Sequence, residues 1–252
     1  MTTLPQFRSW DSEFFGLRIA QWNPCGSLSA TDWQRVQMWC VEQGVDCMYI
    51  LADNDSPGSI LAAELVEIDQ RVTLETNLNN TRKIVDTDQM RVVRPFRFDD
   101  VPTLVEIARI SHTDSRFFCD GHFPRNRCMD LFQRWIERDC EKASRCNTHA
   151  VFVTTNNMQP VGYVTCSQDE DGITGWIGLI ALAPAQRGRG LGGCLLDMAL
   201  TWCRARGLNR CRVVTQGRNH LAMSLYRSRG FVEIGRQRWY HFWPKIHLAQ
   251  AG

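Results

Sequence analysis

Trp176-Ile177-Gly178-Leu179-Ile180-Ala181-Leu182-Ala183-Pro184-Ala185-Gln186-Arg187-Gly188-Arg189-Gly190-Leu191-Gly192 decides how this chain is read. The apolar run from Trp176 to Ala183 has the length of a buried strand, and Pro184 ends it. Leu191, Leu195, Leu196 and Met198 to Leu200 continue at helical spacing, so the order is strand, glycine-rich turn, helix. Glycines let such a turn fold tightly and leave its backbone N–H groups uncovered at the positive end of the helix. An anion suits that position, and a phosphate-bearing ligand above all. An ordinary strand-to-helix turn is the plain alternative.

The spacing of the glycines excludes two common phosphate sites. A dinucleotide fold needs G-x-G-x-x-G early in a βαβ unit, with an acidic residue about 20 positions on. A P-loop needs Gly-Lys-Ser/Thr, and this turn has no lysine. Instead, Arg187 to Gly192 reads Arg-x-x-Gly-x-Gly, which resembles the pyrophosphate signature of the GNAT superfamily of acetyl-CoA-dependent N-acetyltransferases. Asn219-His220-Leu221-Ala222-Met223-Ser224-Leu225-Tyr226-Arg227-Ser228-Arg229-Gly230-Phe231 adds to the resemblance. It is similar to that family's Asn, Ala, Leu-Tyr, Gly-Phe block, in the same order and at the expected distance. Leu221, Ala222 and Leu225 recur at helical spacing, and Gly230 is a natural helix stop.

The resemblance implies a fold and a set of roles. The fold is α/β, a central mixed, twisted sheet flanked by helices. Arg187, Gly188, Arg189, Gly190, Leu191, Gly192 and Gly193 would hold the CoA pyrophosphate, and Asn219 the pantetheine arm. A backbone N–H of Ile180 or Leu182, on a splayed strand, would meet the thioester oxygen. Tyr226 would protonate the departing thiolate. A phenol near pKa 10 stays protonated at pH 7, above a thiol near 8.5. Taken without the block, Tyr226 reads rather as a helix aromatic packed in a core.

Composition bounds the rest. A chain of 252 residues can bury one good core or two modest ones, and 44% hydrophobic with 22% charged residues describes an ordinary globular protein. A formal charge of +2 argues against a polyanion binder, so no nucleic-acid partner is expected. Only Lys83, Lys142 and Lys245 are lysines, which leaves few candidates for Schiff-base chemistry. The many arginines are scattered, as a compositional bias would leave them. The first residues carry Pro5, Arg8, Asp11 and Glu13 with no apolar signal segment. Ile173 to Ala185, the longest apolar stretch, is too short to span a bilayer, so no membrane association is expected. Eleven cysteines without a Cys-x-x-Cys or His-Glu-x-x-His pattern read as reduced core residues of a cytoplasmic protein without a metal site.

Along the chain, a small α/β domain is expected over 1–88 and the acetyltransferase domain over 89–252. Trp33, Val36, Met38, Trp39 and Val41 predict a helix, and Met48 to Ala52 and Leu65 to Leu74 predict strands. Met90 to Phe96 opens the second unit, and Asp99-Asp100 is expected to cap a helix carrying Leu104, Val105 and Ala108. Phe132 to Ile136 predicts a further helix. Ala150 to Thr154, Val161 to Cys166, Arg212 to Thr215, Phe231 to Ile234 and Arg238 to Phe242 predict strands.

Trp10-Asp11-Ser12-Glu13-Phe14-Phe15-Gly16, and Asp114-Ser115-Arg116-Phe117-Phe118 followed by His122-Phe123-Pro124, narrow the resemblance. Together they are similar to the dTDP-fucosamine acetyltransferase branch, which acetylates the 4-amino group of a nucleotide-linked deoxysugar, TDP-4-amino-4,6-dideoxygalactose. The acceptor implied is then a small amine, a nucleotide-linked amino sugar, with Asp114, Ser115, Arg116 and Phe117 shaping its pocket. Arg116 reads as a phosphate fork or as a solvated loop arginine. Trp10 to Gly16 reads as an aromatic lid over a core or as a substrate contact. Glu67 reads as an acceptor contact and proton acceptor or as a solvent-facing strand carboxylate, with Asp114 a second candidate. His112 and His122 read as structural or surface residues. A homodimer is the assembly considered. Two alternatives stay open: an acetyltransferase for another amine (polyamine, peptide amine or antibiotic), and an acyl-CoA-binding sensor without turnover.

Overall fold

Period-two alternation along the strands decides which layer each side chain joins. In the computed structural model, which describes residues 4–24, 29–53, 65–79 and 93–245, the elements follow one another from β1 (Gln6–Phe7) through α1 (Ser9–Phe15), β2 (Ile19–Trp22), α2 (Ala30–Glu42) and β3 (Cys47–Asp53) to β4 (Glu67–Asn77). The second half holds β5 (Val93–Pro95), α3 (Val101–Ser111), α4 (Arg116–Cys119), α5 (Arg125–Arg145), β6 (His149–Asn156), β7 (Gln159–Gln168) and β8 (Thr174–Leu182). It ends with α6 (Leu191–Ala205), β9 (Arg210–Gln216), α7 (His220–Arg227) and β10 (Val232–Phe242).

All ten strands join one sheet in the order β1-β2-β3-β10-β4-β9-β8-β7-β6-β5. The sheet is mixed: β2–β3 and β8–β9 run parallel and the other neighbours antiparallel. The expected division at 88/89 lies outside the described residues. β4, which precedes that point, lies between β10 and β9, which follow it, so one sheet serves both segments.

On one face, Cys47 and Tyr49 of β3 and Val151, Val153, Tyr163 and Leu179 of β6 to β8 meet α3, α5 and the aromatic residues Phe15, Phe117 and Phe118. On the other, Met48 and Ile50 pack under α2, and Val72, Leu74, Cys211 and Val213 pack under α6 and α7. The result is a three-layer α/β/α arrangement, and burial of the two sheet faces drives it.

Two local expectations change. The strands expected over Phe231 to Ile234 and Arg238 to Phe242 are one strand, β10, because register shifts at Glu233/Gly235 and Trp239/Tyr240 bend it without breaking it. Asp100 does not cap α3 with its side chain. Its carboxylate takes both ends of the Arg94 guanidinium at 2.7 and 2.8 Å and the Arg97 N–H at 2.7 Å, closing the short turn that feeds the helix.

The ten described cysteines are free, and eight of them are buried. Among the described residues no helix is long and apolar enough to cross a membrane, and no group of three His, Cys, Asp or Glu is placed to hold a metal.

Candidate active site

Parallel strands β8 and β9 pair from Thr174↔Arg210 to Ile177↔Val213 and then part. Past that point β9 stays with β4, through Val214↔Thr73 to Gln216↔Arg71, while β8 stays with β7, through Val164↔Ile180 to Gly162↔Leu182. A bulge starts the divergence. Gly178 and Leu179 together oppose Thr165, and the Leu179 amide donates to the Thr165 hydroxyl at 2.9 Å. Only glycine fits there, because a Cβ on Gly178 would lie 2.6 Å from that oxygen. The Thr165 hydroxyl donates in turn to Asp139, whose carboxyl burial raises above its ordinary range.

Beyond the bulge the amides of Leu179 and Ala183 face β7. Amide directions alternate along a strand, so those of Ile180 and Leu182 face the opening between β8 and β9. The Leu182 carbonyl on the same side accepts from Arg187 Nε at 3.3 Å.

The glycine turn sits at the mouth of that opening. Gly188 (φ 76°) and Gly190 (φ 81°) take the left-handed conformation and bring the chain into α6. Residues 187–190 are exposed. The backbone amides of 188–192 have no partner among the described residues, whereas that of Gly193 is spent on the Gly190 carbonyl at 2.9 Å. Uncovered amides at the start of a fifteen-residue helix make an anion site. A Cβ on Gly192 would lie 3.5 Å from the Leu225 side chain and 3.8 Å from that of Leu182, so the turn runs close against β8 and α7.

Asn219 caps α7, its Oδ1 accepting from the Ala222 amide at 3.0 Å, which leaves its side-chain NH₂ free to donate. Tyr226, 3% exposed, packs in the same core as α6 with its ring 5.7 Å from that of Phe231. Burial, and secondarily Cys211, pushes its phenol above the ordinary value, so it stays protonated at physiological pH. Its hydroxyl has no hydrogen-bond partner among the described residues.

On the opposite sheet face α4 and β4 form a second cluster. Arg116 lays its guanidinium over the rings of Tyr49, Phe117 and Trp239 at 4.1, 4.2 and 4.2 Å. Its one polar contact among the described residues is to His241 Nε2 at 2.7 Å, and His241 Nδ1 lies 2.6 Å from Asp120. Arginine only donates, so Nε2 accepts and Nδ1 carries the proton to Asp120. Burial holds the His241 imidazole down to about 4 despite Asp120, so the ring is neutral. Asp120 pays for burial yet stays well below the usual carboxylate range, held by His241 and His122. Ser115 is buried and its hydroxyl has no partner among the described residues, whereas Asp114 is exposed. His112 is neutral, lowered to about 4 by burial, and its Nε2 lies 3.1 Å from the Tyr163 hydroxyl.

Glu67 is exposed and accepts from Gln70 at 2.8 Å. Two residues on, Asp69 is 3% exposed, opposite Trp239 in the β10 register. Burial raises its carboxyl to about 6 against the Gln70 amide (2.8 Å) and the Arg218 guanidinium (3.5 Å). Sequence reading did not single out Asp69, Arg218 or the Thr165–Asp139 pair. The signal was polar residues at alternate positions of a strand, Asp69, Arg71 and Thr73, which means something only once β4 is central in the sheet.

Residues 107–231 match the Acetyltransferase (GNAT) family. The chain is 28% identical over 146 residues to the spore coat polysaccharide biosynthesis protein SpsD of Bacillus subtilis strain 168, covering 58% of this chain and about half (48%) of SpsD. It is 27% identical over 224 residues to the dTDP-fucosamine acetyltransferase of Escherichia coli strain CFT073, covering 86% of this chain and 88% of that protein. A GCN5-related N-acetyltransferase from Sphaerobacter thermophilus shares the fold, with a TM-score of 0.64 at 13% identity over 95% of this chain and 76% of the other. The parted strands, the open glycine turn and the family match agree, and the chain carries an acetyltransferase domain of the GNAT family.

Proposed function

We propose that this protein transfers the acetyl group of acetyl-CoA to the amine of a nucleotide-linked amino sugar. The observation that carries the acetyl-CoA reading is the opening between β8 and β9, with the Ile180 and Leu182 amides facing it and the glycine turn at its mouth. Acetyl-CoA supplies the reactive thioester. The amides of 188–192 bind its pyrophosphate, the Asn219 side chain donates to its pantetheine arm, and the Ile180 or Leu182 N–H holds the thioester oxygen as charge develops there.

Asp69 takes the proton from the acceptor ammonium, directly or through water, because a carboxylate near pKa 6 is ionised at pH 7 yet basic enough to accept. The amine nitrogen then bonds the acyl carbon, the C–S bond breaks, and the nitrogen releases its second proton to solvent as the amide forms. Tyr226 gives its proton to the sulfur and regains one from solvent. Asp114, Ser115, Arg116 and Phe117 surround the acceptor. Support for a nucleotide-linked amino sugar comes from the relatedness to dTDP-fucosamine acetyltransferase along most of both chains, and from the guanidinium of Arg116, which has no carboxylate partner among the described residues.

The test is product analysis by mass spectrometry after incubation with acetyl-CoA and a panel of amines: TDP-4-amino-4,6-dideoxygalactose, free amino sugars, polyamines, peptide amines and aminoglycosides. Acetylation confined to the nucleotide sugar supports the reading. Preferred acetylation of another amine keeps the chemistry and overturns the acceptor.

A further inference from the structure

A groove of about 1110 Å³ lies between α1 and α5, and Arg116 and Phe117 of α4 line it. We propose that this groove holds the nucleoside diphosphate of the acceptor, with the diphosphate on Arg116 and the base on Trp10. The inference rests on the acceptor class argued above and assigns its nucleotide half to a place.

Five arginines line the groove. Arg8, Arg127, Arg134 and Arg138 each have a carboxylate within 4.0 Å. Arg116 has none among the described residues. The carboxylate that acts on it from the groove, Asp11, is already paired with Arg8 at 3.4 Å. Three aromatic faces and a neutral imidazole enclose its charge without cancelling it. The His241–Asp120 chain fixes the direction of the guanidinium, so its remaining donors are preorganised. A flat cation with spare parallel N–H groups matches phosphate oxygens two at a time.

Trp10 lines the same groove, is 50% exposed, and stacks on Phe14 at 5.1 Å and 8°. An indole backed by a second ring is a rigid platform on which a planar base can stack. The volume exceeds what a nucleoside diphosphate fills.

Distance along the chain also fits. Arg116 and Cys119 bound the single turn of α4, about 5 Å long. The Cys119 sulfur accepts from Arg218, the residue beside Asp69. A diphosphate on Arg116 therefore has the next sugar ring within reach of the Asp69 carboxylate.

Calorimetric titration of the full chain tests this, with CoA saturating so that the turn before α6 is filled. The probes are thymidine diphosphate, uridine diphosphate and inorganic pyrophosphate, on wild type, Trp10→Ala and Arg116→Gln. The expected result is at least tenfold weaker binding of the nucleoside diphosphates in both variants. Pyrophosphate is expected to lose affinity only in Arg116→Gln. Unchanged CoA binding shows that each variant is folded, and Trp10 is exposed enough for its variant to read the proposal if Arg116→Gln is not folded. Nucleoside diphosphate binding unaffected by either substitution overturns the groove and leaves the acceptor class standing. No nucleoside diphosphate binding to wild type, with a non-nucleotide amine acetylated, overturns both.

Discussion

The backbone amide of Leu179 donates to the side chain of Thr165 at 2.9 Å where a regular ladder would offer a carbonyl. One residue of β7 thus stands against two of β8, and β8 leaves β9 from that point. The opening that would admit the pantetheine arm is set by a hydroxyl on the neighbouring strand.

Thr165→Val removes that acceptor and leaves the buried Leu179 N–H unpaired, which costs about 1–3 kcal/mol. Thermal unfolding is expected to fall accordingly, and steady-state kinetics to show a lower kcat. Thr165→Ser keeps the hydroxyl and is expected to restore kcat. A Thr165→Val enzyme that loses stability but keeps full kcat would separate the bulge from the chemistry.

Gly190→Ala places a side chain at φ 81°, at about 1–2 kcal/mol for the left-handed conformation. The added methyl meets nothing within 4 Å, so the effect is on the shape of the turn. The KM for acetyl-CoA is expected to rise several-fold or more with a smaller change in kcat. An unchanged KM would remove the turn from the binding site.

Asp69 sets the pH dependence. Its carboxyl is raised to about 6, so kcat/KM is expected to climb as pH rises through about 6 and the proton acceptor ionises. Asp69→Asn is expected to abolish that limb and to lower kcat by about 10²- to 10⁴-fold. The stability effect has the opposite sign to a salt-bridged carboxylate. The folded state holds its proton more tightly than the unfolded chain, so this group's contribution falls as pH rises from about 4 to about 6. Asp69→Asn is then expected to match or exceed wild-type stability at pH 7. A pH profile unchanged in Asp69→Asn would place the proton acceptor elsewhere, with Glu67 next to be tested.

The glycine turn and the Asn219 helix, the two ends of the proposed acetyl-CoA site, were legible as elements because they are local. The glycine turn and the Asn219 to Phe231 block each carry their own caps and stops within a dozen residues. The proposed acceptor side is assembled from distant pieces: Asp69 from β4, Arg116 from α4, and His241 from β10. No spacing announces that β4 and β10 are neighbours, so nothing in the local sequence separates buried Asp69 from exposed Glu67. Gly235-Arg236-Gln237 has the composition of a turn, yet pairing with β3 and β4 keeps it extended within β10. Asp100 carries the composition of a helix cap, and Arg94, six residues earlier, claims it.

Whether Tyr226 protonates the departing sulfur is decided by Tyr226→Phe, through the initial rate of CoA thiol release with saturating acetyl-CoA and the nucleotide-linked amino sugar. The hydroxyl has no hydrogen-bond partner among the described residues, so its removal is expected to leave folding and acetyl-CoA affinity near wild type. The expected result is a kcat lower by about 10²-fold or more, as fits the loss of a positioned general acid. Thiol release at the wild-type rate would contradict the account, leaving Tyr226 as a core aromatic and the departing sulfur protonated by another group.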